Sequence, residues 1–149
     1  MILLVHLLFG AAIGSVINNI PLAIILAFLG HYFLDLFPHV EYDIESLSEK
    51  QWQKKLPAIL KITLDLCSGV LLIFLFSKNH PIIYVCAFFG ILPDGLTVLN
   101  NHFPNRILNA HNFFHSKKIH FLKDKKISNF WRITTQVIAF AISVVLLKI

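Results

Sequence analysis

The sequence runs LPAILKITLDLCSGVLLIFLF from Leu56 to Phe76, and this apolar stretch decides the fold class. A helix needs about 20 predominantly apolar residues to cross a bilayer, and the stretch meets that length. Pro57 lies near its start, where the first turn of a helix tolerates proline. A second long stretch runs from Ile127 to Leu147. Both stretches predict membrane-spanning helices.

Three further apolar stretches are shorter. They run from Met1 to about Ile17, from Ile20 to Phe37 and from Pro81 to about Leu99. Short helices can still span if the bundle is thin or if their ends lie in a cavity lined by protein. The first stretch lacks a basic region before it, and the second follows within a few residues. This pattern favours a retained helical hairpin over a cleaved signal peptide.

The composition agrees with a membrane protein. Hydrophobic residues make up 56% of the chain and charged residues 14%, and the mean hydropathy is +0.72. Soluble domains are about 45–50% apolar and about 25% charged. We therefore predict an all-α integral membrane helical bundle, a single domain over residues 1–149, with about five transmembrane helices and a short cytoplasmic-side helix after Pro104. Cys67 and Cys86 match no redox or zinc spacing, so we interpret them as small core residues.

The basic residues indicate how the chain crosses the membrane. With five spans, two basic connections lie on the side of the N-terminus, and only Lys78 and Lys148 lie on the other side. Because Lys and Arg collect in cytoplasmic loops, we expect the N-terminus inside and the C-terminus outside, in a bacterial-type inner (cytoplasmic) membrane. The two connections contain Lys50, Lys54, Lys55, Arg106, Lys117, Lys118, Lys123, Lys125 and Lys126.

The net charge of +5 also bears on the partners of the protein. We expect the lipid bilayer as partner and no nucleic acid, because no recognised motif or aromatic-interleaved basic face accompanies the charge. The tract from Lys117 to Lys126 suits attraction to anionic lipid. Binding of a phosphate-containing substrate is the less favoured interpretation of this tract, and the two interpretations are compatible.

Seven His and Asp residues lie in or beside the apolar stretches, and the predicted topology places all of them toward the cytoplasmic face. An Asp at the centre of a membrane helix costs roughly 2.5–3.5 kcal/mol on insertion scales. A divalent cation offsets this cost by shared coordination, and imidazole and carboxylate are usual ligands of zinc and other first-row metals. The predicted ligands are His6, His31, Asp35, Asp65, Asp94, His111 and His115.

The spacing of these residues supports a metal site. His31 and Asp35 are four residues apart, as are His111 and His115, which places each pair on one face of a helix. We expect one or two divalent ions, with zinc the best match, and some of the seven residues would orient ligands instead of binding the ion. Asp65 and Asp94 are the candidate catalytic carboxylates.

Simpler interpretations compete at single positions. His6 suits a hydrogen-bonded core residue, and Asp94, which follows a proline, suits a helix cap. The sequence leaves open the roles of His39, Glu41, Asp43, His102 and His120.

Four short motifs resemble those of the inner-membrane metal-dependent hydrolase family, which includes a LexA-binding group. The motifs are MILLVHLLFG at Met1–Gly10, LGHYFLD at Leu29–Asp35, LPD at Leu92–Asp94 and HNFFHS at His111–Ser116. The segment from His31 to His39 also resembles a His-x-x-x-Asp-x-x-Pro-His signature of small uncharacterised bacterial membrane proteins. Two departures are visible: the His-x-x-x-Asp helix precedes the other two motifs instead of following them, and Gly95 follows Asp94 where the family often extends the motif to Asp-x-Asp.

The resemblance implies a membrane-bound, metal-dependent hydrolase that acts at the cytoplasmic face. The distant similarity of that family to zinc phospholipase C implies a phosphoester or lipid-like substrate. The alternative is a non-catalytic membrane protein whose structural metal, or His/Asp hydrogen-bond network, ties the helices together. A closed four-ligand shell would favour that alternative, and an open coordination position would favour catalysis. Metal or proton transport is a weaker hypothesis, because the outer halves of the helices carry almost no polar residues.

Overall fold

The structure, a computed structural model, describes residues 2–40, 52–122 and 125–149. Within these ranges the chain forms helices and no strand, which confirms the all-α prediction. Glu41, Asp43, Lys50 and Lys123 lie outside the described residues. The helices are α1 (Leu3–Val16), α2 (Ile20–Asp35), α3 (Trp52–Phe76), α4 (Pro81–His102), α5 (Arg106–Phe113), which continues into a π-helical turn (Phe114–Ile119), and α6 (Asn129–Leu147).

Three of these helices are long and apolar enough to cross a membrane, namely α3 from Lys55 onward, α4 and α6. The apolar helices α1 and α2 are shorter, with 14 and 16 residues. At 1.5 Å per residue they extend roughly 21 and 24 Å, less than the roughly 30 Å of a hydrocarbon core. The structure therefore gives three candidate spans, where the sequence predicted about five.

Helix α1 lies at the centre of the bundle and contacts α2, α3, α4 and α6. It is apolar on all sides, as expected of a helix that is enclosed by others. Leu8, Ala11 and Ala12 are fully buried and pack with Ile73 of α3 and Ile83 of α4. Membrane helices associate through such close packing, because lipid chains are as apolar as the helices themselves.

Two glycines bring α1 and α4 into backbone contact. A Cβ atom at Gly10 would lie 2.5 Å from the carbonyl oxygen of Cys86, and one at Gly90 would lie 2.7 Å from the carbonyl oxygen of His6. Neither position has room for a side chain. The crossing therefore fixes the position of His6 along the axis of α4.

The two cysteines differ in burial. Cys86 is buried at this crossing, in agreement with its interpretation as a core residue, whereas Cys67 is exposed. Helix α3 packs on α1 through the face that carries Gly69 and Ile73. Because residues two apart lie on nearly opposite faces of a helix, Cys67 faces away from the bundle. Its interpretation as a core residue is wrong.

Helix α4 runs beyond its predicted end near Leu99 to His102, and Pro93 and Asp94 lie in its interior. Asp94 is therefore not a helix cap, because the helix continues through it. Proline has no N–H to donate, so Pro93 removes one hydrogen bond from the ladder of α4. The short helix expected after Pro104 is α5.

Candidate metal centre

Asp35 lies at the centre of a cluster of imidazole rings. It is the last residue of α2 and is 1% exposed. Its Oδ1 atom lies 3.1 Å from His6 Nε2 and 3.6 Å from His39 Nε2. Its Oδ2 atom lies 3.1, 3.3 and 3.2 Å from the Nε2 atoms of His31, His115 and His120, respectively.

Separate elements carry these rings to one place. His6 lies in α1, His31 lies one turn before Asp35 in α2, and His39 follows the end of that helix. His115 lies in the π-helical turn, and the N–H of His120 donates to the carbonyl of His115. Such an i→i+5 bond widens the helix, so residues five apart lie on the same side. The turn thereby points both rings at Asp35.

Asp94 completes a group of four candidate ligands. Its Oδ1 atom lies 3.6 Å from His31 Nε2 and 4.0 Å from His115 Nε2, and its side chain is 24% exposed. His31, Asp35, Asp94 and His115 each offer one ligand atom within a span that could hold a metal ion. Asp35, His39 and His120 form a second such group, and Asp35 belongs to both.

The hydrogen bonds on the far side of three rings fix their tautomers. His31 Nδ1 donates to the carbonyl of Gly90 at 2.8 Å, and His39 Nδ1 donates to the carbonyl of Phe37 at 2.7 Å. The Thr97 hydroxyl donates to the carbonyl of Pro93, so at 3.1 Å it accepts from His115 Nδ1. A neutral imidazole carries one N–H, and in these three rings it is on Nδ1. Their Nε2 atoms are therefore lone-pair acceptors.

The Nε2 lone pairs of His31, His39 and His115 point toward other hydrogen-bond acceptors. The carboxylate of Asp35 is acceptor-only when ionised, and His31 Nε2 lies 3.1 Å from His115 Nε2 as well. Such an arrangement calls for a cation between the atoms or for extra protons on the rings or on the carboxyl group. Three imidazolium ions around Asp35 would place like charges in a buried site, which is costly. A metal cation between these atoms would stabilise them without protonation of the imidazole rings.

The spacing of the donor atoms fits a tetrahedral ion. Nitrogen and oxygen ligands lie about 2.0–2.1 Å from zinc, so two ligands of one tetrahedral ion lie about 3.3 Å apart. The donor atoms of His31, Asp35, Asp94 and His115 make contacts of 3.1 to 4.0 Å with one another. An Nδ1–H held by an oxygen acceptor is also the usual arrangement behind a ligating histidine.

His6 adds an orphaned buried group. Its ring stacks on that of His31 with centroids 4.0 Å apart, and the residue is 1% exposed. Its Nε2 atom lies 3.1 Å from Asp35 Oδ1, and its Nδ1 atom makes no hydrogen bond among the described residues. Buried polar atoms without a partner, such as this Nδ1, are rare.

Two predicted ligands, Asp65 and His111, belong to neither group of candidate ligands among the described residues. Asp65 Oδ2 accepts a hydrogen bond of 2.9 Å from the backbone N–H of Leu4, in the first turn of α1. His111 Nε2 shares a hydrogen bond of 3.0 Å with the Tyr32 hydroxyl. Burial, more than the neighbouring His115, lowers the pKa of the His111 imidazole below its usual value. The ligand roles of Asp65 and His111 stay predictions.

The cluster contains two histidines whose roles the sequence left open. His39 continues the four-residue spacing of His31 and Asp35, which was the available indication. His120 is five residues from His115, a spacing that an α-helix does not place on one face and a π-helical turn does. Nothing in the sequence marks that turn as π-helical.

A small cavity reaches this cluster. It has a volume of about 10 Å³, which is room for about one water molecule. Asp35, His39 and His120 line it together with Phe37 and half-buried Arg132, whose guanidinium donates to the carbonyl of His39 at 3.3 Å. The second group of candidate ligands therefore has space beside it.

No protein-family model, curated protein or solved structure matches this chain.

Proposed function

We propose that the protein is a membrane-bound, metal-dependent hydrolase whose metal centre is built on Asp35. The main observation in favour of this proposal is that the Nε2 lone pairs of His31, His39 and His115 point toward this buried carboxylate. A carboxylate that faces three imidazole lone pairs is poorly stabilised by hydrogen bonds from those rings, whereas the same atoms are good metal ligands. The resemblance of four sequence motifs to inner-membrane hydrolases supports the same conclusion.

The proposal assigns the ligands to one or two ions. His31, Asp35, Asp94 and His115 would hold the first ion. Asp35, His39 and His120 would hold a second one, with the Asp35 carboxylate shared between the two. Imidazole and carboxylate together match zinc best among the common metals.

The exposure of Asp94 suits a role in proton transfer. A divalent ion at this site would supply an activated water and polarise a phosphoryl or acyl oxygen. The side chain of Asp94 is 24% exposed, whereas that of Asp35 is fully buried. The carboxylate of Asp94 can therefore reach a water at the rim of the site and take up its proton. The proposal gives Asp65 no catalytic part, because its carboxylate lies against α1.

The proposal includes an orientation. We infer that α1 and α2 cross the bilayer with α3, α4 and α6, because α1 is the central helix of the bundle. The basic connections would then put the metal centre at the cytoplasmic face of a bacterial-type inner membrane, with the N-terminus inside. Substrates at that face would be phosphoesters or lipid-like molecules.

A structural metal is the second candidate function. It is favoured by the burial of His6, His31 and Asp35, each 1% exposed, and by the way the cluster joins α1, α2, α4 and the π-helical turn. The small cavity beside His39 and His120 argues for catalysis, because a structural site keeps no space for water.

An open coordination position on the metal ion would distinguish a hydrolase from a protein with a structural metal. The protein is loaded with cobalt, whose visible absorption reports coordination, and inorganic phosphate is added. We expect the spectrum to change in the wild type and to change less in His120→Gln. A spectrum of a four-coordinate ion that phosphate leaves unaltered would favour the structural role and count against the hydrolase.

A further inference from the structure

An apolar groove runs along α6 at the surface of the bundle. Its volume is about 270 Å³, close to the lower end of ligand pockets, which is about 300 Å³. Aromatic side chains of α1 and α2 form one wall, and residues of α6 form the other. Its lining includes Phe9, Phe33, Phe37, Thr135, Ile138, Ala139 and Ile142.

The groove meets the small cavity of the metal centre at one residue. Phe37 lines both spaces. The groove and the cavity, which Asp35, His39 and Arg132 also line, therefore meet at Phe37.

One face of α6 lines both the apolar groove and the small cavity. Arg132 lines the cavity, and Thr135, Ala139 and Ile142 line the groove. These positions follow one another at three- and four-residue intervals and so lie on one side of the helix. From Arg132 to Ile142 the helix rises roughly 15 Å, with the cation at one end and apolar side chains along the rest. The guanidinium is held near the cavity by its bonds to the carbonyls of His39 and Lys125.

We propose that this composite site binds a membrane amphiphile with an anionic head group. One hydrocarbon chain occupies the groove, and the head group lies at Arg132, facing Asp35 and the histidines. The inference rests on the proposed function, because the metal centre supplies the positive charge that complements the head group. It deepens that function by naming the substrate class.

Two features favour a lipid over a free phosphate or a protein. The groove runs along α6, which is long enough to cross a bilayer, where hydrocarbon chains are the available occupants. Arg132 is the kind of side chain that binds phosphate or carboxylate oxygens with two parallel hydrogen bonds. A free phosphate has no hydrocarbon chain and would leave the groove without a role.

The test uses the purified full-length protein in detergent with its metal retained. The probe is a lysophosphatidic acid with a photoactivatable group in its single chain. We expect cross-links on groove residues such as Phe33 or Ile142. Unlabelled lysophosphatidic acid should compete at least about tenfold better than either a monoacylglycerol, which lacks the charge, or inorganic phosphate, which lacks the chain.

Variants test the two halves of the site. Ile138→Trp, at a position 53% exposed in the groove, should weaken binding of the probe by about tenfold or more, whereas Val137→Trp, 58% exposed on the adjoining face, should not. Ile142→Trp repeats the block in case the first variant misfolds. Arg132→Gln should weaken binding about tenfold and Arg106→Gln, exposed at the start of α5, should not.

Metal content, measured in the same samples, keeps the two proposals apart. Labelling away from the groove, equal competition by the neutral lipid, or unchanged binding in all three site variants with metal present would overturn the lipid site and leave the metal centre standing. Specific labelling of a protein that contains no metal would overturn the hydrolase instead.

Discussion

Two aspartates in apolar helices illustrate how a buried carboxylate can be stabilised. Asp35 is surrounded by five imidazole rings, whereas Asp65 accepts the N–H of Leu4 at the start of α1. No side chain of α1 itself caps that end. The first N–H groups of a helix have no partner within the helix and carry partial positive charge, so a carboxylate from a neighbouring helix satisfies them.

We therefore expect Asp65→Asn to lower stability and to leave metal binding intact. Loss of a helix cap costs about 0.5–2 kcal/mol, and Asn keeps one acceptor, so the effect should fall at the lower end. Thermal unfolding and elemental analysis of the same sample measure both quantities. Loss of metal in this variant, without a change in stability, would restore Asp65 to the site as a ligand.

The hydroxyl of Thr97 should tune the metal affinity without contacting the ion. It accepts from His115 Nδ1 and so presents the Nε2 lone pair of that ring to the site. Thr97→Val removes this acceptor at nearly constant volume, and we expect the affinity for zinc to fall by about 10–100-fold. Competition with a chromophoric chelator gives the affinity. Thr63→Val, exposed on α3, is the control, and equal affinities in the two variants would contradict the tautomer assignment.

The sequence predicted much of the site at this scale, because residue type and four-residue spacing are visible in it. His6, His31, Asp35, Asp94 and His115 all lie in the cluster. The role of His39 was left open because, together with Glu41 and Asp43, it also suited a solvated loop at the membrane interface. The sequence predicts a place for Asp65 in the site because an aspartate in an apolar run suggests coordination. Hydropathy carries no information about the N–H of Leu4 that lies beside it, and its ligand role stays a prediction.

At the level of helices, the crossing of α1 and α4 positions the site. The backbone contact at Gly10 and Gly90 sets His6 beside α4, and the carbonyl of Gly90 holds the ring of His31. Helix existence follows from apolar stretches, so the sequence predicted the elements. The crossing depends on which small residues face each other, which one sequence does not show.

Gly90→Ala should be strongly destabilising, although alanine is the better helix former. Its Cβ would meet the carbonyl oxygen of His6, a backbone atom that cannot move aside without shifting α1. Overpacking of this kind costs about 1–3 kcal/mol. Gly95→Ala, whose Cβ would meet nothing within 4 Å, should be neutral or stabilising by up to about 1 kcal/mol. Equal melting temperatures for the two variants would contradict the close crossing.

The whole molecule has two chemically distinct ends. The His/Asp cluster lies where α1 begins and α2 ends. At the opposite end Lys78 donates to the backbone carbonyl of Ile149, and the Ser15 hydroxyl donates to that of Leu146. Lys78 and Lys148 lie at this second end. The basic residues of α5 and the π-helical turn lie at the other end of the molecule, beside the His/Asp cluster.

A reporter fused after Ile149 should therefore be extracytoplasmic, because basic connections stay inside. An alkaline phosphatase fusion should be active at this position, and a green fluorescent protein fusion should be dark. The reverse result would place the metal centre at the outer face and make the number of spans even.

The central claim is that the cluster on Asp35 binds metal, and elemental analysis of the protein purified without chelator tests it most directly. We expect at least one transition-metal ion per wild-type chain. His31→Ala and Asp35→Ala should each lose most of it, whereas His80→Ala, exposed at the far end of the bundle, should keep it. A wild type without metal, or metal content unchanged in both site variants, would reduce the cluster to a protonated hydrogen-bond network and contradict the hydrolase.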